Sequence, residues 1–266
     1  MNSKDGNRIS KAFAGGKAFI AFLTGGDPSL EASEAFILEM IRAGADLIEI
    51  GVPFSDPIAE GEVIQRANLR ALSSGTTLDG LFGLVERVRG KSDVPLVFLS
   101  YLNPLFRYGY EAFFERCRAA GTDGVIVPDL PFEEQAELLE PARASGVDVI
   151  SLVAPTSEAR ILEIAKNASG FLYVVSSMGV TGVRGAFESD VAAMIRLAKS
   201  ASNIPAAVGF GVGTPDRARE MARVADGVIV GSAIVRIIEE RGAEAGPELY
   251  RFVREMKAAV REFVLA

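Results

Sequence analysis

The sequence predicts an α/β protein folded as a (β/α)8 barrel of the TIM type, with extra helices at the N-terminus and in the loops. Three observations carry that expectation. Short apolar runs rich in β-branched residues recur eight times, and helical patterns separate them. The alternation fills a chain of 266 residues, a length that suits one barrel domain over 1–266 better than two ordinary domains. The main alternative, an open doubly wound sheet, is weakened because no Gly-x-Gly-x-x-Gly turn follows the first strand.

Residues 1–17 read as a short arm in which Ile9 and Phe13, one helical turn apart, can anchor it to the body. Ala18–Leu23 is the first strand, ended by Thr24-Gly25-Gly26. Asp27-Pro28 predicts a helix start, a capping oxygen followed by a residue with preset φ and no amide hydrogen. Phe36, Ile37, Met40 and Ile41 give that helix an apolar stripe, and Gly44 closes it. The second strand covers 46–51, and the loop PFSDPIAEG leads into a helix near 63–72. Further strands are expected at 96–101, 125–127, 147–153, 171–175, 206–209 and 227–230. Helices are expected over 132–144, 157–168, 191–201 and 216–224. In the last segment, 247–265, Leu249, Phe252, Val253, Met256, Val260 and Phe263 share one face, as in a closing helix. No linker, low-complexity tract or charge block marks a second domain.

Composition removes several function classes. Lysine and arginine total 28 against 35 acids, a net charge of −7, so a broad basic footprint for nucleic acid is absent. The chain has no histidine, which excludes His-based triads, His metal sites and His acid/base schemes; no metal is expected. Cys117 is the single cysteine, so no intrachain disulfide can form and a reducing compartment fits. There is no apolar run long enough to cross a bilayer, and the N-terminal MNSKDGNR lacks the apolar core of a signal peptide. A cytoplasmic protein without membrane contact is therefore expected.

Two regions carry chemistry. Glu49 lies inside the apolar run Leu47-Ile48-Glu49-Ile50, where an ionised carboxylate is costly, and Asp56 and Glu60 follow in a loop punctuated by Pro53, Pro57 and Gly61. A carboxylate on a rigid strand beside others on a mobile loop suits acid/base work; the alternative is a Glu49 facing a solvated barrel end and ordinary surface acids. The second region is the pair of glycine clusters after the last two strands, Gly209-Phe210-Gly211-Val212-Gly213 and Gly231-Ser232. In barrels these loops, with a helix N-terminus, commonly hold a phosphate; tight strand–helix packing is the other use of such glycines. The long connection after the sixth strand contains SSMGVTGVRG, either a lid or a plain flexible link.

The motifs LTGGDP (23–28), IEIGVPFSDP (48–57), GVTG (179–182), GFGV (209–212) and GSAIV (231–235) carry a resemblance. Over essentially its full length the chain resembles the tryptophan synthase alpha subunit family. The resemblance implies a TIM barrel that cleaves indole-3-glycerol phosphate to indole and glyceraldehyde 3-phosphate. It also implies a beta subunit partner in an alpha2-beta2 complex, with pyridoxal phosphate in that partner and no cofactor in this chain. Glu49 matches the family's strand carboxylate, implied to pass a proton to indole C3 and to help deprotonate the glycerol hydroxyl, and Tyr173 matches a tyrosine beside it. Phe22, Leu99, Tyr101, Leu152, Thr181 and Phe210 fall where the family lines its indole pocket and closes its lid. Gly182, Gly211, Gly231 and Ser232 fall on its phosphate site, and Asp56 on the loop that meets the beta subunit.

One departure stands out. Where the family has Ala-Asp-Gly-Pro, this chain has Ala59-Glu60-Gly61-Glu62. Glu60 keeps the charge that would hold the indole N–H and adds one methylene. A working lyase subunit is therefore one reading. A catalytically weak subunit that binds a phosphate ligand and allosterically activates the beta subunit is the other. A different phosphosugar enzyme, such as an epimerase or isomerase, is disfavoured by the lack of histidine.

Overall fold

The computed structural model describes residues 7–175, 184–209 and 211–261. Eight parallel strands close into a barrel in chain order. They are β1 (Ala18–Thr24), β2 (Leu47–Gly51), β3 (Leu96–Leu99), β4 (Gly124–Ile126), β5 (Asp148–Val153), β6 (Leu172–Val175), β7 (Ala206–Gly209) and β8 (Gly227–Val230). Pairing of Ala18 with Gly227 and of Ile20 with Ile229 joins β1 to β8 and completes the ring. The helices are α1 (Arg8–Ala14), α2 (Leu30–Arg42), α3 (Glu62–Ser73), α4 (Leu78–Arg89), α5 (Leu102–Tyr108), α6 (Tyr110–Ala120), α7 (Ala136–Ser145), α8 (Glu158–Asn167), α9 (Arg184–Ala201), α10 (Pro215–Val224), α11 (Ser232–Arg241) and α12 (Gly246–Arg261). No helix among the described residues is long and apolar enough to cross a membrane.

The eight strands stand where the apolar runs placed them. The long connection after β2 holds two helices, α3 and α4, and that after β3 holds α5 and α6. One helix start differs from the sequence reading. α2 begins at Leu30, and its cap is Ser29, whose hydroxyl accepts from the Ala32 amide at 3.1 Å. Asp27 is buried instead, and its two carboxylate oxygens each accept from the Arg70 guanidinium at 2.8 Å. A bidentate pair with a cation stabilises the acid more than one backbone amide would.

Strand periodicity decides what fills the barrel. Ile20, Leu47, Val97, Ile126, Ile150, Phe171, Ala207 and Ile229 point inward and form one cluster, closed at the N-terminal end by Ile9. Phe13 packs on Phe171 with ring centroids 5.7 Å apart, so α1 does anchor the arm. The alternate residues, among them Phe19, Leu23, Ile48, Ile50, Phe98 and Val228, pack outward against the helices.

Aspartates lock the N-terminal face. Asp46, Asp123 and Asp226, each just before an even-numbered strand, accept from the amides of Phe19 (2.6 Å), Leu96 (2.8 Å) and Ala206 (2.9 Å) on the preceding odd-numbered strand. Each also meets a cation from outside the sheet. Lys257 of α12 binds Asp46, Arg89 of α4 and Arg8 of α1 bind Asp123, and Lys199 of α9 binds Asp226. The charges thus serve as hydrogen-bonded joints between strand pairs and helices.

Since Ile9 fills the end of the barrel, Ile9→Ala should leave a cavity and cost about 2–5 kcal/mol. The check is the urea midpoint, which should fall at constant m-value; an unchanged midpoint would show that the end closes without it.

Candidate active site

The C-terminal ends of the strands gather the acids. β2 alternates, with Leu47 and Glu49 inward and Ile48 and Ile50 outward, and Glu49 stands opposite Phe22 of β1 and Val97 of β3. Its side chain is 1% exposed, and among the described residues Oε2 has no hydrogen-bond partner. The solvated-barrel-end reading of Glu49 is therefore excluded. Burial, reinforced by the negative charge of Glu60, pushes its pKa up to about 8. At neutral pH the Glu49 carboxyl is mostly protonated.

Glu60 approaches from the loop between β2 and α3. It is half-buried, and its Oε2 accepts from Asn68 Nδ2 at 2.6 Å. Burial raises its pKa, and the Asn68 hydrogen bond opposes that rise. Asp56, on the same loop, is exposed.

Aromatic and apolar side chains surround the two acids. Tyr101 is buried and stacks on Phe54 at 5.3 Å between centroids, and its hydroxyl accepts from the Ala59 amide at 2.9 Å. It thus pins the loop as well as lining the mouth. Phe22 packs with Ala67 of α3 and Val235 of α11, and Leu99, Val63 and Ile64 lie against this cluster. Leu99, Leu152 and Tyr173 cap the barrel's inner cluster from above. Tyr173 loses hydration and feels the Glu49 charge, and both hold its pKa well above the usual phenol value.

Glycines make the room. A Cβ on Gly209 would lie 2.4 Å from the Tyr173 hydroxyl, and one on Gly51 would lie 2.8 Å from the Phe22 ring. Glycine is required at both places because the ring already fills the space. Gly231 is the N-cap of α11, and no side chain caps that helix end. Its missing side chain faces Phe22 at 3.1 Å. Gly213 approaches Ala233, with its added Cβ 3.7 Å from that residue's Cβ, so the segment after β7 lies beside the start of α11. Gly211 takes a left-handed φ of +66°. Uncapped amides and the positive end of a ten-residue helix, flanked by glycines, form an environment suited to an anion.

The structure brings Glu49, Glu60, Phe22, Leu99, Tyr101, Leu152, Tyr173, Gly211, Gly231 and Ser232 to the C-terminal side of the barrel. Thr181, Gly182 and Phe210 lie outside the described residues. Several contributors escaped the sequence reading, among them Ile64 and Asn68. Ile64 joins the Phe22 cluster, and Asn68 holds Glu60. The available signal for Asn68 was a polar residue between Ala67 and Ala71 on the buried face of α3.

Comparison with known proteins agrees with this arrangement. Residues 10–261 match the family model described as Tryptophan synthase alpha chain. The tryptophan synthase alpha chain of Citrifermentans bemidjiense is 49% identical, with 96% of this chain and 98% of that protein aligned. That of Lacticaseibacillus casei is 43% identical over 96% of each. Among solved structures, tryptophan synthase subunit alpha from Legionella pneumophila superposes with a TM-score of 0.87 at 35% identity, covering 96% of this chain and 98% of that one. A chain from the tryptophan synthase a2b2 complex of Pyrococcus furiosus gives 0.84 at 38% identity, covering 91% and 99%. A family match across nearly the whole chain and a shared barrel lead to one conclusion: this chain belongs to the tryptophan synthase alpha chain family.

Proposed function

We propose that this chain is the alpha subunit that cleaves indole-3-glycerol phosphate by a retro-aldol reaction, releasing indole and glyceraldehyde 3-phosphate for tryptophan biosynthesis. The observation that carries the reading is the Glu49 carboxyl, buried on β2 with Oε2 unpartnered among the described residues and its pKa raised to about 8 by burial and by Glu60. Glu49 gives its proton to indole C3, and positive charge develops across the ring toward its nitrogen. Glu60 accepts the ring N–H and stabilises that charge. The Glu49 carboxylate then removes the proton from the adjacent glycerol hydroxyl. The bond between indole C3 and the glycerol carbon breaks, its electron pair returns to the ring, and the former hydroxyl becomes the aldehyde. Glu49 ends protonated, as it began, so one group serves as acid and then base.

The rest of the mouth supplies binding. Phe22, Leu99, Tyr101, Leu152 and Tyr173 enclose the indole, and the family resemblance implies the same role for Thr181 and Phe210. The backbone at Gly211, Gly231 and Ser232 holds the phosphate at the positive end of α11, and the family resemblance implies the same role for Gly182. The exposed loop with Asp56, on which Ile58 is 81% exposed, meets a beta subunit. That partner carries pyridoxal phosphate and consumes the indole, and this chain needs no cofactor of its own. Work in the cytoplasm, with a water-soluble substrate and no membrane contact, fits this role. The competing reading, a weak subunit that only binds phosphate and activates the partner, rests on Glu60 standing where an aspartate is expected. The hydrogen bond from Asn68 to the longer acid favours catalysis. Indole release by the purified chain, with and without a beta subunit, tests the proposal; no release under either condition would overturn it.

Glu49→Gln should abolish indole release while leaving glycerol phosphate binding within about twofold. The same variant carries a stability signature. Glu49 binds its proton more tightly in the folded chain than a free carboxyl of pKa 4.5, so stability is lost as pH rises from 4.5 toward 8. Glu49→Gln escapes that loss and should gain on the parent by up to about 1.4 kcal/mol per pH unit across the window, read from denaturant melts.

The profile of kcat/KM against pH should be a bell. Its acid limb reflects the need for ionised Glu60, and its alkaline limb, near pH 8, reflects loss of the Glu49 proton. An activity that keeps rising above pH 9 would contradict Glu49 as the initial acid.

Gly231→Val should weaken glycerol phosphate binding about tenfold or more, because the side chain blocks approach to the α11 amides and presses on Phe22. Calorimetric titration with glycerol phosphate reads it directly.

A further inference from the structure

We propose that Asn68 is a positioning residue for catalysis: its side-chain amide grips one oxygen of the Glu60 carboxylate and leaves the other for the substrate's ring N–H. The inference rests on the reading of Glu60 given above. Asn68 is 2% exposed, on the face of α3 that also buries Ala67 and Ala71. A buried amide is costly there unless it is hydrogen-bonded, and its Nδ2 donates to Glu60 Oε2 at 2.6 Å. A structural need alone would be met by an apolar residue.

The helix that presents Asn68 is held independently of it. Arg66 grips both oxygens of Glu239 on α11 at 2.6 and 2.9 Å, and Arg70 joins Glu239 at 3.0 Å to the buried Asp27. Glu60 itself hangs from a loop pinned at its backbone. The Ala59 amide donates to Tyr101, and Gln65 Nε2 donates to the Glu60 carbonyl at 2.8 Å. With the backbone held on either side, the remaining freedom is in the Glu60 side chain, which is longer than an aspartate by one methylene. Asn68 removes that freedom at the carboxylate end.

The charged and titratable groups around Glu60 make the amide consequential. Glu49 faces it from β2 and Tyr101 from the end of β3, and the Glu60 charge raises the pKa of both. On α3, Glu62 is exposed at the first turn, while Arg66 and Arg70 are engaged by Glu239 and Asp27. Among the described residues, the side-chain donor to the carboxylate is Asn68. Without it, burial would act on Glu60 unopposed.

The test is a double-mutant cycle on indole release with a saturating beta subunit. Asn68→Ala should lower kcat roughly 10- to 100-fold, change KM less than about threefold, and move the acid limb of the pH profile upward. In a Glu60→Gln background the same change should alter kcat less than about twofold, because the group it positions is already gone. Equal losses in both backgrounds would overturn the proposal and make Asn68 a purely structural residue. If Asn68→Ala does not fold, Asn68→Asp, which keeps the shape, replaces it. That variant sets two carboxyls in contact and should move the acid limb further up. A second readout needs no substrate: the carboxyl carbon of Glu60, followed by NMR, should titrate at higher pH in either variant. An unchanged midpoint in the variants overturns the positioning role, whereas a parent chain that releases no indole, with the midpoint shifted in the variants, overturns the lyase reading instead.

Discussion

Closure of the ring between β1 and β8 decides which half of every strand faces inward, and the interior has little room to spare. Eight apolar side chains and the Ile9 plug fill its N-terminal part. Above them the period of two delivers Phe22, Glu49, Leu99, Leu152 and Tyr173 to the same space. Two rings there are accommodated only because Gly51 and Gly209 carry no side chain. The site is thus the upper continuation of the packed core, and its geometry inherits the rigidity of the sheet.

That inheritance explains the electrostatics. A glutamate exposed on a loop would find water and remain an ordinary acid. On β2 it is surrounded by apolar groups and a second carboxyl, with Oε2 left without a partner among the described residues, so its pKa is raised to about 8. The unfavourable burial is the source of its raised pKa. Glu60 comes from a loop and keeps an amide partner, so the two carboxyls differ in environment and can take different roles.

The helix α3 ties the loop acid to α11. Its Asn68 holds Glu60, and its Arg66 and Arg70 hold Glu239 on α11, the helix whose N-terminus lies beside Gly213 and Phe22. Displacement of α3 would therefore move Glu60 and disturb α11 together. The aspartate joints on the opposite face secure strand pairs and helices without entering the site. The aspartate joints and the carboxyls of Glu49 and Glu60 thus lie at opposite ends of the barrel.

The alternation of apolar runs and helical patterns was legible along the chain because strand and helix periods are local properties. It placed all eight strands, the anchoring role of Ile9 and Phe13, and Glu49 as a carboxyl inside an apolar strand. IEIGVPFSDP marked the family for the same reason, since a motif is a run of neighbours. What tertiary structure decided were the partnerships across sequence. Asp27 reads as a helix cap beside Pro28, yet the fold brings Arg70 to it and Ser29 takes the capping role. Asn68 and Glu60 are eight positions apart and their contact depends on how the loop folds back on α3, while Gly209 is demanded by a tyrosine from the neighbouring strand. The raised pKa of Glu49 likewise follows from closure of the ring around it, because burial and the approach of Glu60 exist only after the barrel has formed.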